Sequence, residues 1–277
     1  MKEKENLMSK LSDVIKSKRI FAPKEAYMDH VEIILVGDGP FVLFDSGYGT
    51  QRDEVVNWVK KESKGELEKF ILTHQHHDHS GNAMAICDVM SIPCHAHPIE
   101  INLMKERELD LSVIPIQEGF VVNVGEIKLE AIFTPGHSPG HLAFWWKEEK
   151  VLIGGDNILT ETTTAVVPPL GNLTEYIQSL KKVLDLKPRL IFPGHGYPIE
   201  NPIKRIDYLL SHRDKREKQV LRALIKNDST LEELAKSIYR NLREDQLVFG
   251  VNMIKSIIEK LKEEQKITYR KGIYEIL

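Results

Sequence analysis

Four histidines and one aspartate stand within six consecutive positions, His74-Gln75-His76-His77-Asp78-His79, directly after the apolar run Phe70-Ile71-Leu72. Imidazole nitrogens and carboxylate oxygens are ligands for a divalent cation, and burying so many of them without a partner is costly. An exposed histidine-rich loop that catches metal incidentally is the bland alternative. Three later stretches weigh against it: Thr134-Pro135-Gly136-His137, Gly154-Gly155-Asp156 and Phe192-Pro193-Gly194-His195-Gly196. Each follows or overlaps an apolar run, Ala131-Ile132-Phe133, Val151-Leu152-Ile153 or Leu190-Ile191-Phe192.

The elements that must position these groups are strands. An apolar, β-branched run that opens into a polar cluster reads as a buried strand leading into a loop. In extended backbone, side chains two apart share a face, so His74, His76 and Asp78 lean to one side and His77 points away. His79 comes round as the chain turns into a helix expected over Asn82-Ala83-Met84-Ala85-Ile86, whose N-terminus would favour an anion. Ligands at the ends of separate strands can converge although far apart in sequence. Gly136, Gly155 and Gly194 fit as turn residues that permit close backbone approach. His141 follows the turn Ser138-Pro139-Gly140 and is expected to hydrogen-bond near the site. His95 and His97 read as satisfied structural histidines, and His30 and His212 carry no motif.

In this order the motifs resemble those of metallo-β-lactamase-fold hydrolases. The His-x-His-x-Asp-His signature stands at His74, His76, Asp78 and His79, the later signature residues at His137, Asp156 and His195, and Asp45-Ser46-Gly47 matches the first motif. The resemblance spans residues 20 to 200. It implies an α/β, four-layer αββα sandwich with two divalent ions, one held by His74, His76 and His137, the other by Asp78, His79 and His195, with Asp156 bridging. Asp45 would support the ligand loop from behind.

Five imidazoles and two carboxylates suit Zn²⁺ and also accommodate Mn²⁺ or Fe²⁺. A pair of ions about 3.5–4 Å apart brings the pKa of water from 15.7 to about 7, so a metal-bound hydroxide can act as nucleophile without serine or cysteine. Asp78 is the candidate for handling the proton. Hydrolysis at a carbonyl carbon or at phosphorus is therefore expected. True metallo-β-lactamases usually carry cysteine where Asp156 stands, which disfavours lactams.

Near residue 204 the chain changes character, from alternating strands and helices to long charged amphipathic stretches. A catalytic domain over 1–204 and a small domain over 205–277 are expected. Helices are read over Ile206–Leu224, after a capping box at Thr230-Leu231-Glu232-Glu233, and over Asp245–Lys262. A hairpin turning at Lys271-Gly272 closes the chain. Three helices and a hairpin suggest a winged helix. Residues 205–277 hold 16 basic and 12 acidic residues, net +4, against a whole-chain net of −3. That permits nucleic-acid contact, although winged helices also serve as packing or dimerisation modules, which leaves a homodimer open.

This tail resembles the β-lactamase-like protein 2 branch, which includes endoribonucleases, and so implies single-stranded RNA as substrate. The chain departs from that branch at Asp29-His30-Val31-Glu32-Ile33, where a Gly-Thr-Asn-Thr-Tyr-like stretch is usual, and at Gly81-Asn82, where Gly-Gly is usual. A thioester or ester hydrolase resembling glyoxalase II fits the same ligands. A non-catalytic nucleic-acid-binding or scaffold protein is the third alternative. Tyr48, Thr162, Thr163 and Tyr176 are candidates for the cleft rim, and each equally fits a core or turn position.

No apolar run approaches the length of a membrane span. Leu7, Leu11, Val14 and Ile15 suggest a short amphipathic helix and not a secretory leader. Two cysteines in 277 residues point to a reducing, cytoplasmic setting.

Overall fold

The computed structural model describes residues 11–24, 26, 28–109, 111–227, 229–240 and 244–277. Two sheets face each other. The first has β1 (Ile15–Phe21), β2 (His30–Gly37), β3 (Phe41–Phe44), β4 (Leu67–Ile71), β5 (Cys94–Ala96) and β6 (Val113–Pro115) in that order. β1 to β3 are antiparallel, and β3 to β6 are parallel. The second runs β11 (Leu190–Pro193), β10 (Val151–Gly155), β9 (Leu142–Trp146), β8 (Ile127–Phe133), β7 (Val121–Val124). Only β10 and β11 are parallel there.

The side-chain alternation of β2 and β3 shows why two layers are needed. Ile34, Val36, Val42 and Phe44 point between the sheets and meet Leu129, Ala131, Phe144 and Ile153. Phe44 and Phe144 lie 4.8 Å apart at a 50° tilt. The intervening Ile33, Leu35 and Leu43 face the opposite way. They pack with Phe70 on α1 (Arg52–Glu62), α3 (Ala83–Met90) and α4 (Pro98–Glu106), through Val55, Val59, Ile86, Ile101 and Met104. A four-residue turn of helix, α2 (His77–Ser80), lies between β4 and α3. Strands buried on both faces read as continuous apolar runs, as β2 and β3 do. Leu43 is fully buried, and Leu43→Ala is expected to cost about 2–5 kcal/mol.

The outer face of the second sheet is covered in the same way. Ile132, Ala143, Leu152 and Ile191 pack with Tyr176, Leu180 and Val183 of α5 (Leu173–Leu186) and Ile206 and Leu209 of α6 (Pro202–Lys226). The order is helices, sheet, sheet, helices.

α6 is longer than the expected helix, because Pro202 supplies a pre-set first position. α7 (Leu231–Ile238) opens on the expected capping box, with Thr230 Oγ1 accepting from Glu233 N at 3.2 Å and Glu233 Oε2 from Thr230 N at 2.8 Å. α8 (Glu244–Glu263) and the hairpin β12 (Ile267–Arg270) and β13 (Ile273–Ile276) follow, the turn holding Lys271 at φ 49° and Gly272 at φ 89°. Leu224, Leu234, Ile254, Ile258 and Ile267 join the same core cluster as Ile132 and Tyr176.

The expected N-terminal helix lies largely outside the described residues, and only its end differs from expectation: Leu11 is helical, whereas Ile15 is not. Residues 1–10 lie outside the described residues, and Ile15 opens strand β1, paired with Val36. The edge of the first sheet captures this segment. Among the described residues, no helix is long and apolar enough to cross a membrane.

Candidate metal centre

β3, β4, β8, β10 and β11 all end at one rim of the facing sheets, and each delivers part of the site. After β4 the chain stays extended only to His76. Asp78 and His79 then reach inward from α2, so Asp78 does not share the face of His74 and His76 by strand alternation as expected. His77, on the outer side of this turn, is exposed. Extended backbone continuing past His76 would carry His79 away from the other rings; one turn of helix shortens the rise and brings it back.

Three ring nitrogens form a triangle. His74 Nε2 and His76 Nδ1 are 2.9 Å apart, His76 Nδ1 and His137 Nε2 3.0 Å, His137 Nε2 and His74 Nε2 3.2 Å. Three mutually facing imidazole nitrogens cannot all be satisfied by protons on one another. A divalent cation bound by all three would satisfy them together. A second set, Asp78, His79 and His195, lies beside the first, and its ligand atoms fall within 4.8 Å of one another. Asp156 sits between the sets, with Oδ2 3.5 Å from His137 Nε2 and 3.2 Å from His195 Nε2. Its Oδ1 is 3.3 Å from His79 Nε2, yet among the described residues neither of those atoms, nor His195 Nε2, has a hydrogen-bond partner. Buried polar atoms without partners are rare, and these converge.

The far side of most rings is held. His79 Nδ1 donates to Asp45 Oδ2 at 2.8 Å, His137 Nδ1 donates to the Ala165 carbonyl at 2.6 Å, and His195 Nδ1 donates to the His30 carbonyl. Each such bond places the proton on Nδ1 and turns the Nε2 lone pair inward. Asp45 stands at φ 62°, a conformation that aspartate tolerates, and it also accepts from Thr73 N at 2.8 Å. His141 acts near the site as expected: its Nε2 accepts from Asp156 N at 3.1 Å, and its Nδ1 lies 2.8 Å from Thr134 Oγ1. Gly155 (φ 50°) must lack a side chain, since a Cβ would lie 2.6 Å from His141 Nε2.

Electrostatics divide the two sets. Burial, reinforced by the neighbouring imidazoles, holds His74 far below the usual histidine range, and burial takes His76 down to about 3. Burial also opposes charge on His79 and His195, but the carboxylates override it. Asp156, Asp45 and Asp78 hold His79 well above its ordinary value, and Asp156 and Asp78 push His195 up to about 10. The carboxylates respond in kind: burial works against ionisation of Asp78, yet His79 and His195 bring it down to about 2.

Several contributors carry no local signal in the sequence. Glu100, fully buried on α4, accepts from Gln75 N at 2.8 Å, Ser138 Oγ at 2.6 Å and Gly140 N at 2.6 Å, tying together the His74–His76 and His137 loops. Asn82 Nδ2 donates to the carbonyls of Ser46 and Tyr48, each at 2.7 Å, joining the Asp45 loop to the start of α3. His30 supplies the carbonyl that orients His195, and its own Nε2 accepts from Gly196 N at 3.1 Å. His97 caps α4 and stacks on Phe133, and His95 lies 3.1 Å from the Phe70 carbonyl, both structural roles.

The rim candidates separate. Tyr176 is a correction: it is fully buried in the core under α6, with the Arg213 guanidinium 5.0 Å from its ring. Its place on an amphipathic helix turns it inward. Tyr48 is 7% exposed and donates to the Met28 carbonyl at 3.2 Å. Thr163 is half-buried. Thr162 lines a cavity of about 320 Å³ beside His195, together with Met28, Asp29, His30, Glu161 and Gly196. Arg205 pins the loop behind this wall, donating to the carbonyls of Leu159 (2.7 Å) and Thr162.

This fold and this rim of histidines and aspartates define a metal-dependent hydrolase. The chain belongs to the metallo-β-lactamase superfamily, whose model matches residues 29–195. It is 30% identical over 261 residues to a β-lactamase-like protein 2 homolog of Caenorhabditis elegans, covering 92% of this chain and 86% of that one. It is 29% identical over 263 residues to the atrochrysone carboxyl ACP thioesterase of Aspergillus fumigatus, covering 90% and 81%. The fold of a metallo-β-lactamase family protein from Thermus thermophilus superposes with a TM-score of 0.80 at 21% identity, covering 95% of this chain and 99% of that one.

Proposed function

We propose that this chain hydrolyses an acyl ester or thioester with two divalent ions held by His74, His76 and His137 and by Asp78, His79 and His195, Asp156 lying between them. The residues fit such ions: the facing nitrogens and the partnerless buried atoms of His79, Asp156 and His195 need a cation. Zinc is the first choice for this nitrogen/oxygen set, with manganese or iron also accommodated. When bound, the ions supply Lewis acidity and an activated water. The protein's own part is to fix the ligands from behind, through Asp45, Glu100 and the carbonyls of His30 and Ala165. Asp78, half-buried at the mouth of the site, is the group placed to hold a proton there.

The observation that carries the choice of substrate is the cavity beside His195. Among the described residues its wall includes Asp29 and Glu161 and no lysine or arginine. A phosphodiester chain laid against it would meet like charge without the basic contacts that bind nucleic acid. An uncharged acyl group meets no such cost. The thioesterase relative supports the same reading.

Single-stranded RNA is the competing substrate, favoured by the net +4 of residues 205–277. One assay separates them. Zinc-loaded protein is expected to turn over small thioesters, with loss in Asp78→Ala, and to leave unstructured RNA intact. Cleavage of RNA with no turnover of esters or thioesters would reverse the assignment. Stoichiometric metal with neither activity would favour a binding or scaffold role.

A further inference from the structure

His30 does two things at once. Its carbonyl accepts from His195 Nδ1 and so aims His195 Nε2 at Asp78 and Asp156, 3.2 Å from each. Its side chain accepts the Gly196 N–H on Nε2 at 3.1 Å. A backbone N–H can only donate, so Nε2 carries the lone pair and the neutral ring's proton sits on Nδ1. Among the described residues Nδ1 has no hydrogen-bond partner, and His30 lines the cavity with its ring 6.5 Å from the His195 ring. A hydrogen-bond donor is thus fixed in tautomer on a residue that lines this cavity beside the candidate metal centre. The same wall bears the exposed carboxylates Asp29 and Glu161.

We propose that His30 is a substrate-contacting residue whose Nδ1–H donates to a carbonyl oxygen of an uncharged acyl substrate in this cavity, while Asp29 and Glu161 turn away acyl chains that end in a carboxylate. This rests on the acyl-hydrolase reading and narrows it to a substrate class. A donor held in the right tautomer loses little freedom on binding. The two carboxylates are exposed, so their repulsion sets a preference and not an absolute barrier. The alternative is that His30 only braces Gly196.

The test uses zinc-loaded protein and two thioesters, S-butyryl- and S-succinyl-N-acetylcysteamine. It also uses the two ketones in which CH₂ replaces the thioester sulfur, which bind without being cleaved. His30→Phe is expected to raise KM for the butyryl thioester and Kd for its ketone about tenfold, the effect of losing one hydrogen bond, with kcat changing less. His30→Asn, which returns a donor near the Nδ1 position, is expected to recover most of that loss. Wild type is expected to prefer butyryl over succinyl by about threefold or more, and Asp29→Asn/Glu161→Gln to bring the two near parity. In wild type, ¹⁵N-labelled His30 Nδ1 is expected to shift when the butyryl ketone binds, a readout free of any folding defect.

The inference falls if His30→Phe leaves KM and Kd unchanged, if the His30 resonance does not move at saturating ketone, or if neither ketone binds. Failure of the acyl-hydrolase reading looks different. There, neither thioester is turned over while the butyryl ketone still binds and still depends on His30.

Discussion

Asp45 and His79 share a 2.8 Å hydrogen bond from Nδ1 to Oδ2, and the other Asp45 oxygen takes the Thr73 N–H at 2.8 Å. One buried carboxylate thereby fixes the ring of a candidate ligand and the backbone one residue ahead of His74. Removing such an outer partner typically weakens metal binding about 10- to 100-fold. Asp45→Ala is expected to show that loss in competition against a chromophoric zinc chelator. Asp45→Asn is expected to fall between, because its amide can accept through only one oxygen. Wild-type affinity in Asp45→Ala would remove Asp45 from the centre.

Glu100 is the second clamp. Its two oxygens satisfy three donors that are otherwise sealed from water. An abandoned buried donor costs about 1–3 kcal/mol, so Glu100→Ala is expected to destabilise the fold by about 3–5 kcal/mol. Zinc affinity is expected to fall with it, because Gln75 lies between two candidate ligands and Ser138 follows a third. Denaturant unfolding and chelator competition on the same preparation check both. Full affinity with lowered stability would make Glu100 a packing device alone.

The contrast between these residues shows what a linear reading can reach. His74, His76, His79, His137, Asp156 and His195 were legible because each closes an apolar run, and strand ends meet at one rim of stacked sheets. Glu100 was not, since an acid in the first turn of a helix looks like any solvated cap until α4 is laid against two loops it never neighbours in sequence. His30 lacked a motif for a similar reason: its carbonyl meets a ring 165 positions away. Tyr176 was open between rim and core because helical spacing says which residues share a face and not which face is covered. The apolar run before the histidine cluster signalled a strand, but the single helical turn at His77–Ser80 is too short to leave a periodicity. The hairpin and the capping box were readable because turn and cap chemistry are local.

Metal removal tests the centre as a whole. Any ion that binds only the folded chain stabilises it, by about 2.7 kcal/mol at a free concentration of 100 Kd. For a chain of this size that is a fall in Tm of roughly 5–10 °C on chelation. Asp156→Ala is expected to reduce bound zinc from two per chain to one or fewer and to shrink the chelator-induced change in Tm. Elemental analysis beside thermal melts decides it. Two zincs retained by Asp156→Ala would move the bridging position elsewhere.

His212 lies on α6, away from the candidate ligands. His212 stacks on Tyr208 with ring centroids 6.2 Å apart, and among the described residues its buried Nδ1 has no partner. Burial, then the charges of Arg213, Arg216, Lys215 and Arg205, bring its pKa down to about 4. In the unfolded chain the same imidazole titrates near 6.5. Between those values the unfolded state binds a proton that the folded state refuses, so folding stability falls as pH drops from about 6.5 toward 4. Other buried histidines contribute to the same slope, so the informative quantity is a difference. His212→Asn is expected to lose less Tm than wild type between pH 7.5 and pH 5, with the two curves converging at the acid end relative to their separation at neutral pH. Parallel curves across that interval would mean that the folded chain already carries the proton on His212, and that the cations of α6 are screened from it.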